Sequence, residues 1–182
     1  MTRIGALLIC SLVAVGCGSS KPKPTPDPGP AAASRSATAT LAPASGSSVS
    51  GTIQFREVDG GVEVTANVEG LTPGDHGWHV HEKGDCSAPD ATSAGGHFNP
   101  GGHPHGAPDA DHRHEGDFGN LTAGGDGKAT KTFVMKGISL GDGATSVVGK
   151  GFIVHEKADD LTTQPTGNAG GRVACGVITI AP

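Results

Sequence analysis

Apolar and polar residues alternate with a period of two along much of the chain after residue 36. The clearest case is Val62, Val64, Ala66 and Val68, which would share one face of an extended strand. No segment of the sequence keeps a helical period over several turns. Strands are therefore predicted at 36–42, 49–57, 62–68, 77–82, 118–123, 128–136, 147–155 and 173–180. These eight short antiparallel strands predict an all-β fold, a Greek-key β-barrel or sandwich.

The stretch Gly-Trp-His-Val-His-Glu at 77–82 organises the chain. In a strand, Trp78 and Val80 point to one face, and His79 and His81 point to the other. The apolar pair can then enter a core while the two imidazoles face out side by side, as half of a copper site or part of a zinc site. Two surface histidines on an ordinary strand give the same pattern, so the spacing alone leaves both interpretations open.

Two long stretches, 83–114 and 156–172, lack any periodicity, and the first is rich in Gly, Pro and His. A loop of this length in a compact domain is usually functional or disordered. The 31 glycines and the 3 % of aromatic residues fit a β protein with many turns and long loops. A tight turn is predicted at Asp59-Gly60-Gly61, between two of the strands.

The nine histidines of the chain gather around these loops. They are His76, His79, His81, His97, His103, His105, His112, His114 and His155. Asp117 follows His114 by three residues. A histidine-rich loop with one nearby aspartate has the composition of a metal site, and this favours metal ligation by the strand pair as well.

The charge of the chain limits its partners. The net charge is −5, and residues 41–182 hold 9 basic and 17 acidic residues, a net of −8. Such a domain should bind neither nucleic acid nor an anionic membrane through general electrostatics. An anionic substrate would need a positive charge placed locally.

The N-terminus has the pattern of an export signal. Arg3 precedes a mostly apolar run at 4–15, which is too short to span a membrane. Ala14-Val15-Gly16-Cys17 resembles the lipobox of bacterial lipoproteins, although Ala14 stands where Leu is usual. We expect a lipoprotein-type signal peptide at 1–16, a Pro/Ala/Ser-rich linker at 17–35 acylated at Cys17, and a folded domain at 36–182. Ordinary signal cleavage, with Cys17 incidental, is the alternative.

An acylated chain of this kind would contact a membrane only through its N-terminal lipid anchor. We expect it in the cell envelope of a bacterium, on the periplasmic side and at the outer membrane.

Six segments in order resemble the copper/zinc superoxide dismutase family: 77–82, 93–100, 105–108, 114–120, 154–161 and 167–176. The resemblance covers about 36–181. It implies an enzyme with copper and zinc cofactors that converts two superoxide anions to dioxygen and hydrogen peroxide through a Cu(II)/Cu(I) cycle, and so protects the envelope from oxidative damage.

The same resemblance implies the site. Copper is held by His79, His81, His97 and His155, and zinc by His97, His105, His114 and Asp117. His97 bridges both metals and is catalytic, Arg172 attracts and orients superoxide, and Asp159 hydrogen-bonds His79 and His105. Cys86 and Cys175 occupy the positions of the family's disulfide, which an exported chain with one remaining cysteine pair also suggests. His76, His103 and His112 match no ligand position and are expected at the surface.

Two other functions compete with the enzyme. One is a non-catalytic copper/zinc-binding or metal-storage module on the same fold, and the other is an envelope lipoprotein with a decayed site. Either would be expected to lack a ligand or the arginine, whereas all seven ligands and Arg172 are present. The segment 162–167 is short and uncharged, which weakens electrostatic steering of the anion. Both homodimers and monomers occur in the family, and the sequence leaves the choice open.

Overall fold

A computed structural model describes residues 34–181 of the 182-residue chain. The predicted signal peptide, Cys17 and the linker as far as residue 33 lie outside the described residues, as does Pro182. Within the described part, no helix has the length and apolar character needed to cross a membrane.

Eight strands make up the domain, as the alternation predicts. They are β1 Ser36–Pro43, β2 Ser50–Val58, β3 Gly61–Glu69, β4 Gly74–His81, β5 Asp117–Ala123, β6 Ala129–Met135, β7 Gly151–His155 and β8 Arg172–Ile180. The first long loop joins β4 to β5 and contains one 3-10 turn at Thr92–Ala94, and the second joins β7 to β8.

The strands form a single antiparallel sheet in the order β5-β4-β7-β8-β1-β2-β3-β6. The end strands β5 and β6 approach each other, and Lys131 Nζ on β6 donates to the Asn120 carbonyl on β5 at 2.7 Å. The sheet is thus a nearly closed barrel. The links from β3 to β4 and from β6 to β7 join strands that are not neighbours, which gives the Greek-key connection. The predicted fold class is confirmed.

The β2–β3 hairpin shows how the alternation specifies the register. Asp59 and Gly60 form the two-residue turn, and Gly60 has the positive φ of 87° that glycine adopts without a steric penalty. Phe55 then lies opposite Val64, and both side chains are buried. A shift of one residue would turn these side chains to solvent, so the apolar period selects this register.

Five of the six aromatic residues pack together inside the barrel: Phe55, Trp78, Phe118, Phe133 and Phe152. Their ring centroids are 5.5–5.9 Å apart, mostly edge to face, the arrangement that aromatic quadrupoles favour. Trp78 is fully buried, and its indole N–H donates to the Phe118 carbonyl at 3.0 Å. The aromatic core therefore lies directly behind β4 and holds that strand in place.

The largest error in a predicted strand boundary is at the start of β7. The strand expected at 147–155 begins only at Gly151. Residues 147–150 form a turn in which Lys150 N donates to the Val147 carbonyl at 3.1 Å and Gly149 has a φ of 77°. Val147 is fully buried, so its apolar character reflects packing at the end of the barrel and not pairing in the sheet.

Candidate metal centre

β4 presents His79 and His81 on the face opposite to the core, as predicted from the alternation. Both side chains are nevertheless fully buried, because the first long loop folds back across them. Phe98 N donates to the Val80 carbonyl at 2.8 Å, and Val80 N donates to the Gly116 carbonyl at 3.0 Å. These hydrogen bonds bring the loop's own histidines onto the strand.

A first group consists of four imidazoles, those of His79, His81, His97 and His155. One ring nitrogen of each lies within 4.8 Å of the others, and the residues are 0–6 % exposed. Among the described residues, nothing hydrogen-bonds His79 Nδ1, His81 Nε2, His97 Nε2 or His155 Nε2. An unsatisfied buried polar atom costs about 1–3 kcal/mol, so four of them in one place indicate ligands of a metal ion.

A second group forms around Asp117, the first residue of β5. Its Oδ1 lies 2.8 Å from His97 Nδ1, 2.9 Å from His105 Nδ1 and 3.1 Å from His114 Nδ1. Ligands 2.0–2.1 Å from a tetrahedral zinc ion are separated from one another by roughly 3.3 Å. The spacing therefore fits four ligands that converge on one ion.

His97 belongs to both groups. Its Nδ1 faces Asp117, and its Nε2, which has no hydrogen-bond partner within residues 34–181, lies with the first group. The ring centroid is 4.0 Å from that of His79. A ring that gives a lone pair on each side must lose both N–H protons, so ligation on both sides would make it an imidazolate.

The remaining ring nitrogens of the ligands are fixed by hydrogen bonds, which set their tautomers. His79 Nε2 donates to Asp159 Oδ2 at 2.8 Å, and His105 Nε2 donates to Asp159 Oδ1 at 2.9 Å. One carboxylate thus orients a ring from each group. His81 Nδ1 donates to the Gly95 carbonyl at 2.9 Å.

The imidazoles of the first group are neutral. Burial lowers the pKa of His81 and of His155 well below the ordinary value. Burial also lowers the pKa of His97 to about 4, although its hydrogen bond to Asp117 acts in the opposite direction. Neutral imidazole is the form that binds metal, so His81 and His155 need no deprotonation first at pH 7, whereas His97 must still lose its one N–H proton to ligate on both sides.

The second group is charged. Burial lowers the pKa of His105, but hydrogen bonds with Asp117 and Asp159 outweigh it and raise the pKa to about 9. Burial raises the pKa of Asp117, yet its hydrogen bonds with His105, His114 and His97 hold the pKa of that carboxyl far below its usual range. A cation is therefore favoured between these carboxylates, whether it is a proton or a metal ion.

Arg172, the first residue of β8, lies beside the first group. Its Nη1 donates to the Ala91 carbonyl at 2.7 Å, and its Nη2 donates to the Gly95 carbonyl at 2.6 Å. The Gly95 oxygen also accepts the N–H of His81, so one carbonyl links the guanidinium to a ring of the first group. Burial is the main cause of the lowered pKa of His81 and of His155, and the Arg172 charge lowers both further.

The family model for copper/zinc superoxide dismutase (SODC) matches residues 49–178, which include both groups and Arg172. The chain belongs to the copper/zinc superoxide dismutase family. It is therefore an oxidoreductase that converts superoxide to dioxygen and hydrogen peroxide, with copper and zinc as cofactors. The ligand chemistry agrees, because four imidazoles suit copper, and three imidazoles with one carboxylate suit zinc.

A disulfide joins this superoxide dismutase's first long loop to its last strand. Cys86 and Cys175 are bonded across 89 positions of sequence. Cys175 and the partly buried Cys86 pack with Ala91 and Ala94, next to the segment that supplies the Arg172 and His81 acceptors. The predicted pair is confirmed, and the bond fixes the loop beside the first group.

The expectation that His76 lies at the surface is wrong. It is 3 % exposed, and its Nδ1 donates to the His155 carbonyl at 2.8 Å while its Nε2 lies 2.9 Å from the Thr72 carbonyl. The same alternation that directs Trp78 inward also directs His76 inward, two residues earlier, and would have predicted this burial. His103 and His112 lie outside both groups, as expected, half-buried and exposed respectively.

Two further polar side chains support the site and were missed in the sequence. Asn120 Nδ2 donates to the Asp159 carbonyl, and its Oδ1 accepts from Asp159 N, both at 2.8 Å. Gln164 pairs in the same way with His105, at 2.8 Å to the backbone N–H and 2.9 Å to the carbonyl. Both partners are 39 or more positions away, so no local pattern could reveal these contacts.

Proposed function

We propose that the first group holds copper and the second holds zinc, with His97 shared between them. The copper ligands are His79, His81, His97 and His155, and the zinc ligands are His97, His105, His114 and Asp117. The observation that carries this assignment is the set of buried ring nitrogens that have no hydrogen-bond partner in the described part of the chain, and that the cofactors would satisfy. Asp159 then orients His79 and His105 through their outer nitrogens.

Copper, when bound, supplies the electron exchange with two successive superoxide anions, one oxidised to dioxygen and one reduced to peroxide. His97 would carry one of the two protons that hydrogen peroxide needs at Nε2 whenever this nitrogen is not bound to copper, because it faces the first group while Nδ1 stays against Asp117. The other proton comes from water. Burial lowers the pKa of His97 to about 4, so the ring does not carry a second proton at pH 7.

Arg172 binds and orients the anion. The domain carries a net charge of −8 over residues 41–182 and repels superoxide overall, so a fixed local cation has to offset that repulsion. Two backbone carbonyls hold the guanidinium in one position beside the first group. The resulting charge is pre-organised, which favours a small anion at that place.

Arg172 variants of the full chain, loaded with copper and zinc, test this role. Arg172→Ala should lower kcat/KM for superoxide roughly 10-fold or more, the general range for local steering. Arg172→Lys should retain most of the rate, and both variants should keep their copper. Equal kcat/KM in wild type and Arg172→Ala would remove the residue from the mechanism.

Electron paramagnetic resonance tests whether His97 is shared by the two metal ions. With Cu(II) in both sites, an imidazolate at His97 couples the two unpaired spins, and the electron paramagnetic resonance signal should be largely lost. His97→Ala should restore two independent copper signals. Two uncoupled signals in the wild-type protein would contradict the bridge.

A storage or transfer module is not favoured, because such a protein has no use for a guanidinium fixed beside the copper group. A protein that binds copper stoichiometrically but turns over superoxide no faster than free copper would favour the storage or transfer module.

We also propose that the protein is exported and held on the periplasmic side of a bacterial outer membrane by acylated Cys17. The support is the sequence at 1–16 and the Pro-rich linker. Labelled palmitate should enter the wild type and not Cys17→Ser, which should be soluble after cell disruption. A wild-type protein that takes up no labelled palmitate and is soluble would contradict the proposal. The sequence leaves the choice between a monomer and a homodimer open, and sedimentation velocity would decide it.

A further inference from the structure

The loop that joins β1 to β2 reaches Arg172, although 127 positions of sequence separate this arginine from Ser45 in that loop. The β1–β8 register places Pro43 opposite Ala174. The same antiparallel register, continued for two more residues, brings Ser45 opposite Arg172. There the Ser45 hydroxyl donates to the Arg172 carbonyl at 2.8 Å, so the loop holds the backbone of the arginine.

Ser45 also holds the segment on which the guanidinium rests. Its backbone N–H donates to the Pro89 carbonyl at 2.7 Å. Two residues further along the first long loop, the Ala91 carbonyl accepts Arg172 Nη1 at 2.7 Å. One residue therefore ties the backbone of the arginine to the segment that receives its side chain.

The backbone of Ser45 is itself fixed in an uncommon conformation. Its φ is 53°, a value that few residues other than glycine adopt. Ala44 N donates to the Val173 carbonyl at 2.9 Å, and Ser47 N donates to the Ala44 carbonyl at 3.0 Å. Ala44 is buried and packs with Cys175. Strain of this kind persists where the surrounding structure enforces it, and it is concentrated at functional sites.

The position of the guanidinium depends on this arrangement. Its two acceptors, the Ala91 and Gly95 carbonyls, both belong to the first long loop, whereas its backbone belongs to β8. The charge therefore stays in place only if the loop and the start of β8 keep a fixed separation. The disulfide ties the loop to β8 at Cys175, but Ser45 ties it at the arginine itself.

We propose that Ser45 is a positioning residue for the anion-binding guanidinium of Arg172, through its contacts with the Arg172 and Pro89 carbonyls. The proposal rests on the role proposed above for Arg172. Ser45 acts only through the arginine: it fixes the charge in place before the anion arrives, and this lowers the cost of binding the anion.

Azide binding to the copper- and zinc-loaded full chain tests the proposal. Azide is a small anion, and its charge-transfer absorption with Cu(II) gives a dissociation constant without turnover. Ser45→Ala removes the hydroxyl and keeps the backbone N–H, so it should weaken azide binding roughly 2- to 10-fold, the range that one net hydrogen bond spans. Ser45→Gly should weaken it too, although glycine adopts the positive φ without strain. Ser48→Ala, an exposed position on the same loop, is the matched control and should bind azide like the wild type.

The Arg172→Ala background separates positioning from a general loss of structure. There, Ser45→Ala should leave azide binding unchanged, because no guanidinium remains to be positioned. Metal content and the electron paramagnetic resonance spectrum of Cu(II) report that the copper group is intact in each variant. If Ser45→Ala loses copper, Ser45→Gly takes its place in both backgrounds.

The two proposals fail in different ways. Azide binding that is equal in the wild type and Arg172→Ala would remove the anion-binding role of Arg172, and the positioning role with it. If Arg172→Ala weakens binding but Ser45→Ala and Ser45→Gly do not, only the positioning role of Ser45 is overturned. An equal loss from Ser45→Ala with and without Arg172 would overturn it as well.

Discussion

Zinc binding to the metal-free protein should displace a proton from His105. Both ring nitrogens of this histidine lie 2.9 Å from a carboxylate oxygen, Nδ1 from Asp117 and Nε2 from Asp159. Although burial opposes it, these carboxylates raise the pKa of His105 to about 9. The ring is therefore about 90 % protonated at pH 8 and about a quarter protonated at pH 9.5. Because zinc takes the Nδ1 lone pair, binding should release about 0.9 protons at pH 8 and about 0.25 at pH 9.5.

Isothermal titration calorimetry of the metal-free full chain with Zn²⁺ measures this number, from the dependence of the apparent enthalpy on the ionisation enthalpy of the buffer. Asp159→Asn serves as the control. It removes one of the two carboxylates that raise the His105 pKa, so proton release at pH 8 should fall. Release near zero for the wild type at pH 8, or release that does not decline by pH 9.5, would refute the assignment of a charged His105 to the zinc group.

Three other predictions follow from the packing around the site. Removing the disulfide by replacing Cys86 and Cys175 with Ala should lower the free energy of unfolding by roughly 4–5 kcal/mol in the chain-entropy model, measured by urea denaturation of the metal-free protein; an unchanged midpoint would contradict it. Asn120→Ala removes both hydrogen bonds to the Asp159 backbone, so it should lower the free energy of unfolding by about 2 kcal/mol. The variant should also release zinc to a chelator faster than the wild type. An unaltered rate of zinc release would limit Asn120 to a structural role. Burial lowers the pKa of His97 to about 4, so the unfolded chain takes up this proton at a higher pH than the folded protein does. The contribution of His97 to the free energy of unfolding of the metal-free protein should therefore be constant above pH 6.5 and fall by roughly 3 kcal/mol between pH 6.5 and 4. A free energy of unfolding that rises as the pH falls from 6.5 to 4 would contradict this prediction.

The strands were predictable because one buried face imposes a period of two over several residues. The Val62–Val68 segment and the Trp78 segment show it, and both became strands with the expected inward side chains. The alternation measures burial, however, and not pairing. For this reason Val147 was assigned to a strand although it is buried in a turn.

The site was predictable mainly through the resemblance of its motifs to a known family. The composition of the loops indicates a metal site, but the path of the two long loops decides which histidines come together in it. His97 reaches β4 only because Phe98 pairs with Val80. His103 and His105 are two residues apart in the same loop, and only the second enters a group.

The supporting contacts of Asn120 and Gln164 could not be predicted from sequence. Asn120 lies 39 positions from Asp159, and Gln164 lies 59 from His105. Each contact exists only because the barrel brings β5 and the two loops to the same side. His76 is different, since its parity with Trp78 was visible in the sequence and was outweighed by the polarity of histidine.

The central claim is that the two buried groups, loaded with copper and zinc, catalyse superoxide dismutation. The most direct measurement is the decay of superoxide after pulse radiolysis, with the metallated full chain beside His155→Gln, which removes one copper ligand and keeps the rest of the site. We predict fast, copper-dependent decay that is first order in protein and is lost in the variant. Decay no faster than that given by the same concentration of free copper, or an equal rate in His155→Gln, would contradict the account.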